Sequence, residues 1–169
     1  NATAFFSTVE DYQVSIFDGA TAFFVQNAAE VETSGIEVDV KCAPTDGLLV
    51  SFAGTYLNAE YSDFPNAPCW TVSGTEPENR GNCVNRGPAA FRDATGDTNL
   101  FSPEYAFNLN VDYRMPVGSA LEVRGTFNMN YSDEFFAASD LDPIYAGQDA
   151  YTMYDLRLSL GRQDGMWEV

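Results

Sequence analysis

The sequence contains no histidine, and only 8 Lys and Arg stand against 25 Asp and Glu. The missing histidine removes Ser-His-Asp and Cys-His catalysis and every imidazole metal site. The shortage of positive charge leaves a formal net charge of −17, which repels phosphate and argues against nucleic acid as a partner. Long hydrophobic runs are also missing. No 18 consecutive residues are apolar, so no transmembrane helix is expected. No signal peptide is visible, because the opening "NATAFFSTVEDYQ" already reads as strand. No phosphate loop or nucleophile–base pair occurs, so neither an enzyme nor a bound cofactor is expected. Neither terminus carries an obvious start or stop, and a piece of a longer chain is expected.

What is present is alternation. The chain of 169 residues is 45% hydrophobic and 14% aromatic, which suits one ordered domain rather than a disordered tail. In "AFNLNVDYRMPVGSALEVRGTFNMNY" the odd positions Tyr105, Phe107, Leu109, Val111 and Tyr113 are apolar, and so are Leu121, Val123, Phe127, Met129 and Tyr131 after a Pro-Val-Gly-Ser corner. The even positions are Asn108, Asn110, Asp112, Glu122, Arg124, Thr126, Asn128 and Asn130. Period two on both sides of a turn predicts a β-hairpin. A centre near Val117 pairs Tyr113 with Leu121 and Tyr105 with Met129, which keeps both apolar sets on one face. Strands in soluble sheets are usually about 5–6 residues long, and these are longer. A nine-residue strand spans about 30 Å, or about 21 Å when tilted by roughly 45°. That is near the height of the apolar band of a membrane barrel. Tyr105 and Tyr131 end the apolar face on one side and Tyr113 on the other, as an interfacial aromatic girdle does. The Asn/Asp/Arg face is too polar for a dry core and suits a wet lumen.

The same alternation predicts strands near 3–17, 22–42, 48–62, 103–115, 119–134 and 150–162, plus a stub, each paired with its sequence neighbour and with little helix. The polar face of the 48–62 strand includes Asn58 and Glu60. The apolar phase is odd at Phe23 and Val25 but even at Ile36, Val38 and Val40, so a slip or bulge is expected between Val31 and Gly35. "NAAEVE" at Asn27–Glu32 is read as strand. The connections Cys42–Gly47, Met115–Ser119 and Arg162–Gly165 are short, whereas Ser62–Pro103 is long and Asp133–Ala150 is of medium length. Short turns on one side and long loops on the other fit an outer-membrane barrel. The short Asp18–Ala22 connection lies on the long side and breaks the pattern.

Cys69 and Cys83 sit in the long loop and are expected to form a disulfide in an oxidising compartment; two free thiols are the alternative. Cys42 is expected to be free, at the opposite end of the sheet. The acidic pairs Asp93/Asp97 and Asp140/Asp142 do not match a calcium loop and are read as solvated loop carboxylates, with no metal site. The triplets at Asn1 and Asn130 match a glycosylation acceptor by chance. Arg80, Arg86 and Arg92 share the long loop with Trp70. Ordinary loop salt bridges account for such a group. As candidate ligand contacts, the arginines would give an anionic ligand such as an iron chelate charge-assisted hydrogen bonds, and Trp70 a stacking surface.

Several stretches together resemble a family. "FFSTVEDYQVSIFDG", with Asp11 and Gln13, and "FFVQNAAEVETSGIEVDVK", with Asn27, Ala28, Gly35 and Glu37, resemble late barrel strands of TonB-dependent outer-membrane receptors. "DGLLVSFAGTYLNAEYSDF" is similar to the next family strand, G-L-x(7)-Y-x-x-A-x-Y-x-x-F. "SPEYAFNLNVDYRMP" and "DAYTMYDLRLSLG…DGMWEV" are similar to those that follow. The resemblance implies an all-β, antiparallel up-and-down meander of about seven long strands, part of the wall of a barrel of about 22 strands with a plugged lumen. The whole chain would be one partial barrel domain, without the plug domain and the closing strand. The resemblance further implies a bacterial outer-membrane receptor importing a scarce nutrient, foremost an iron–siderophore complex. Its partners would be outer-membrane lipid, the plug domain, the TonB complex and the extracellular ligand. A passive porin-like barrel and a soluble β-sandwich binding module are the rival readings.

Overall fold

The computed structural model describes residues 1–17, 23–27, 30–69, 83, 91–139, 141–142 and 145–169. These form β1 (Ala2–Glu10), β2 (Gln13–Phe17), β3 (Phe23–Asn27), β4 (Glu30–Thr45), β5 (Leu48–Asp63), β6 (Ala67–Pro68), β7 (Phe91–Arg92), β8 (Tyr105–Val117), β9 (Leu121–Ser132), β10 (Phe135–Phe136), β11 (Gly147–Gln148) and β12 (Tyr151–Arg162). The six long strands make one open antiparallel sheet in the order β1-β4-β5-β8-β9-β12. The expected stub is present. Residues 167–169 fold back on β12, where Leu160 and Val169 exchange backbone hydrogen bonds of 2.8 and 2.9 Å.

The short strands pair off as β2–β3, β6–β7 and β10–β11. All lie within the connections 11–29, 64–104 and 133–150, which leave the sheet at one end, called here the loop end. The turn end carries the tight connections at 46–47, 118–120 and 163–166. This placement corrects the 3–17 and 22–42 strands. Asp11 adopts φ 54, a left-handed conformation that interrupts an extended run, and β2 then pairs with β3 away from the wall. The Asp18–Ala22 connection lies outside the described residues, as do Ala28 and Ala29 of "NAAEVE". Since β2 and β3 flank Asp18–Ala22, it joins no two wall strands.

The phase change in the 22–42 segment also has a different origin. No slip occurs between Val31 and Gly35, for β1 pairs with β4 without interruption from Ala2↔Val38 to Glu10↔Glu30. Phe23 and Val25 simply belong to another sheet. The register shift against β5 falls between Glu30 and Val31, which oppose Asp63 and Tyr61. The β8–β9 hairpin is centred later than expected, pairing Tyr113 with Gly125 and Val117 with Leu121. The strands continue through Pro116 because β5 has already stopped, at Leu48↔Tyr113. There β8 is paired on one side only, where a missing proline N–H is tolerated. The shift is four residues, an even number, so every side chain keeps its predicted face.

Register places Ile36, Val38 and Val40 of β4 on one face with Val50, Phe52 and Tyr56 of β5, the odd residues of β8 and β9, and Tyr154, Leu156 and Leu158 of β12. Leu156 and Leu158 on the edge strand are each 70% exposed. Phe107, Leu109, Val111, Val123 and Phe127 are half-buried, less open than expected because sheet neighbours shade them. Phe107, for example, stacks on Tyr131 at 4.9 Å. A β-sandwich would bury this face under a second sheet, and among the described residues no second sheet packs on it. The opposite face is a polar ladder. Asn108 donates to Asn130 and Asn110 to Asn128, both at 2.7 Å, and Thr126 donates to Asp112 at 2.8 Å. Asn58 and Glu60 are not on this polar face. They lie on the face of Phe52 and Tyr56, beyond the point where the apolar band ends.

Candidate ligand-facing site at the loop end

The buried core of the described residues is not under the sheet but at its loop end. Val14, Val31, Tyr61, Phe64, Ala67, Ala94 and Leu141 form one cluster, with Tyr12, Leu100 and Phe136 packed against it. Its members come from all three long connections and from the ends of β4 and β5. β5 makes this possible by outrunning β8. Above Tyr56 its partner is the returning arm of the long loop. Leu57 donates to the Glu104 carbonyl, Asn99 to that of Ala59 and Tyr61 to that of Asp97, at 2.8–2.9 Å. The Y-x-x-A-x-Y-x-x-F spacing thereby acquires a physical meaning. Tyr56 ends the apolar face, while Ala59 is buried at 3% exposed and Tyr61 and Phe64, at 0% and 1%, belong to the cluster. Burial raises the pKa of the Tyr61 phenol.

Arg92, an expected ligand contact, is placed inside this base. Its side chain is 6% exposed and its Nη1 lies 2.5 Å from Asp97 Oδ2. Its guanidinium therefore serves the loop's own structure and is not offered to solvent. The neighbouring Asp93 accepts from the Thr95 backbone N–H at 2.9 Å. The Thr95 hydroxyl, then that N–H, then nearby Arg92 hold the Asp93 carboxyl below its ordinary range. Asp93 and Asp97 thus serve different partners, and among the described residues no group of three acidic or cysteine side chains is arranged to hold a metal. Trp70, Arg80, Arg86 and Asp140 lie outside the described residues, whereas Asp142 is 1% exposed and so is not the solvated carboxylate expected.

Cys69 and Cys83 are bonded, with Cα atoms 5.8 Å apart. Cys42 is free and exposed. It pairs with Val50 at the turn end of β4–β5, whereas Cys69 follows β6 beyond the loop end.

Between the returning arm and the 133–150 connection lies a cleft of about 230 Å³. Its walls include Phe135 and Phe136, and Glu104, Asp133, Glu134 and Asp149 contribute four carboxylates. Phe101, beside it, is 64% exposed at φ 52, with its ring centroid 6.0 Å from that of Phe135. The sequence reading did not single out this cleft or the buried cluster. The aromatic Tyr61 and Phe64, sitting beyond the tyrosine that closes the apolar band, were the available signal.

Comparison with known proteins agrees with this architecture. The ferric yersiniabactin uptake receptor FyuA from Yersinia pestis is similar over 96% of the chain, with a TM-score of 0.58 and 17% identity. The siderophore receptor PiuA from Acinetobacter baumannii is similar over 94%, also with a TM-score of 0.58, at 19% identity. The chain spans 19% of the length of each. The family model described as "TonB dependent receptor-like, beta-barrel" matches residues 1–166. With long antiparallel strands, one apolar and one polar face, and elaborated connections at one end only, the chain belongs to the TonB-dependent receptor β-barrel family.

Proposed function

We propose that this chain is one partial barrel domain, a stretch of wall from a bacterial outer-membrane receptor that imports a scarce nutrient with energy from TonB. The observation that carries the reading is the two-faced sheet. The aliphatic and aromatic face fits lipid, and the Asn/Asp/Arg/Thr face fits a wet lumen that a plug domain fills. The plug and the TonB complex are the proposed protein partners. Iron–siderophore complexes are the ligand class to test first, since the similar solved structures are a ferric yersiniabactin uptake receptor and a siderophore receptor. The proposed contacts lie in 62–103 and 133–150, because connections vary freely while the wall is fixed. Trp70, Arg80 and Arg86 are proposed to meet an anionic chelate. Arg92 is proposed to act through Asp97, holding the loop base. The carboxylates of the cleft would repel such a chelate, so it would sit toward the arginines.

The test is uptake of radiolabelled ferric siderophore by cells carrying the full-length receptor, with and without a functional TonB. Saturable uptake that needs TonB is expected. Unsaturable, TonB-independent entry of small solutes would favour the passive porin reading.

A further inference from the structure

The three long connections do not stand apart. Val14 of the β2–β3 hairpin, Phe64, Ala67 and Ala94 of the 64–104 connection, and Leu141 of the 133–150 connection share one buried cluster with Val31 and Tyr61 of the wall. Polar ties reinforce the contact. Ser139 Oγ donates to the Ser15 carbonyl at 2.7 Å, across 124 residues of sequence. Phe101 N–H donates to the Phe136 carbonyl at 2.9 Å, joining the second connection to the third. Within the second, Ala94 N–H donates to the Phe64 carbonyl and Phe64 N–H to the Thr95 hydroxyl, at 2.9 and 3.0 Å. Leu141, 3% exposed, holds φ 53, a conformation unfavourable for a branched apolar residue unless packing imposes it.

We infer that the three connections form a single cooperative cap. In it Val14, Tyr61, Phe64 and Leu141 are positioning residues, and the β2–β3 hairpin is a clasp that fixes the two ligand-meeting connections relative to one another. The physical reason is that, among the described residues, the three connections bury their apolar side chains in one common cluster. That cluster is assembled from all three connections and the wall ends, so loosening one exposes the rest. A shared core also lowers the ordering cost of ligand binding, because both connections are held before the ligand arrives. The assignment of ligand contacts to these connections rests on the proposed function; the cap itself does not.

The experiment is hydrogen exchange on the full-length receptor in detergent, without ligand, comparing wild type with Leu141→Ala and Ser139→Ala. Leu141→Ala opens a cavity in the shared cluster. Ser139→Ala removes only the hydroxyl bonded to Ser15 and leaves assembly of the barrel intact. Faster exchange, roughly tenfold or more, is expected at residues 13–17 and 91–97 in Leu141→Ala, with β8 and β9 unchanged. A smaller rise at 13–17 alone is expected in Ser139→Ala. Acceleration confined to residues around 137–147 in both variants would overturn the cap, whatever ligand the receptor binds. Should Leu141→Ala fail to assemble, Leu141→Val supplies the same comparison, and unchanged exchange at 13–17 in both Leu141→Val and Ser139→Ala overturns the proposal.

Discussion

Tyr56 and Tyr105 face each other across β5 and β8 with ring centroids 5.3 Å apart, and they mark the level at which the apolar face stops. Above them on β5 the same face turns to Asn58 and Glu60; below them lie Phe52, Leu109 and Val111 and, at the far end, Tyr113. Tyr131 joins this level through its stacking on Phe107. A girdle of this kind locates a membrane interface.

The depth scale gives a direct prediction. Leu109 lies midway between Tyr105 and Tyr113, so Leu109→Arg is expected to cost about 2–4 kcal/mol of folding stability in bilayers. Asn110→Arg, one position on and facing the other way, removes the hydrogen bond to Asn128 and is expected to cost about 1 kcal/mol. Urea titration of the intact receptor folded into vesicles measures both. Equal costs would mean that the two faces do not see different solvents.

Glycine at two positions is set by close approach. A Cβ on Gly35 would lie 2.3 Å from the Tyr56 carbonyl oxygen and 2.6 Å from the Phe5 ring. One on Gly47 would lie 2.2 Å from the Arg114 carbonyl oxygen, at a residue already held at φ +78. Gly35→Ala and Gly47→Ala are each expected to destabilise by at least about 1–3 kcal/mol, with Gly47→Ala the worse because strain adds to the clash. Gly96→Ala meets no atom within 4 Å and carries only the strain of φ +86. Comparing the three by the same titration separates clash from strain.

The thiols differ in accessibility. Without reductant, mass measurement after alkylation in denaturant is expected to show one modified thiol, Cys42, and after reduction three. Reduction removes about 3 kcal/mol of chain-entropy stabilisation from a loop of this length, so limited proteolysis within 62–103 should accelerate while the wall stays resistant. Three reactive thiols in unreduced native material would contradict the disulfide.

Acid should loosen the base of the long loop. Thr95 and Arg92 hold the Asp93 carboxyl below its ordinary value of 3.8. A depressed folded-state value means that this contribution is fully present above the unfolded pKa and fades as pH falls through the lower, folded one. Protection of the Thr95 amide, corrected for intrinsic exchange, is expected to hold down to about pH 4 and fall below it. Asp93→Asn should flatten that profile. A profile that is the same in both proteins would place the acid response elsewhere.

Much of the wall was legible in the sequence because alternation of period two is imposed residue by residue along β8, β9 and β12. Even the misplaced β8–β9 turn left every side chain on its predicted face, since the error was an even number of residues. The loop end was less legible. Val9, Asp11 and Tyr12 carry no periodic signal that separates β1 from β2. Outside the wall, Val14 of β2 is buried in one cluster with Tyr61 and Leu141, which are distant in sequence. Arg92 illustrates the limit for the site. A lone arginine in a loop reads the same whether it faces solvent or, as here, is buried and paired with Asp97.

Recognition by the long loop can be tested against recognition by the rest of the receptor. The arginines at 80 and 86 are two of the chain's 8 basic residues, and both lie in the connection proposed to meet the chelate. A charge-assisted hydrogen bond contributes about 1.5–3 kcal/mol, so Arg80→Ala and Arg86→Ala should each weaken ferric-siderophore binding roughly tenfold or more. Trp70→Ala should weaken it through lost stacking. Arg92→Ala should act differently, because its partner is Asp97. Hydrogen exchange should rise around residues 91–97, with a smaller change in affinity. Trimming residues 70–82 and 84–90 while keeping Tyr61, Phe64 and Ala94 removes the proposed contacts and spares the buried cluster. Binding and uptake by cells expressing the full receptor are then the measurement. Unchanged affinity, with the barrel still inserted and residues 13–17 still protected, would move recognition away from this loop and toward the plug.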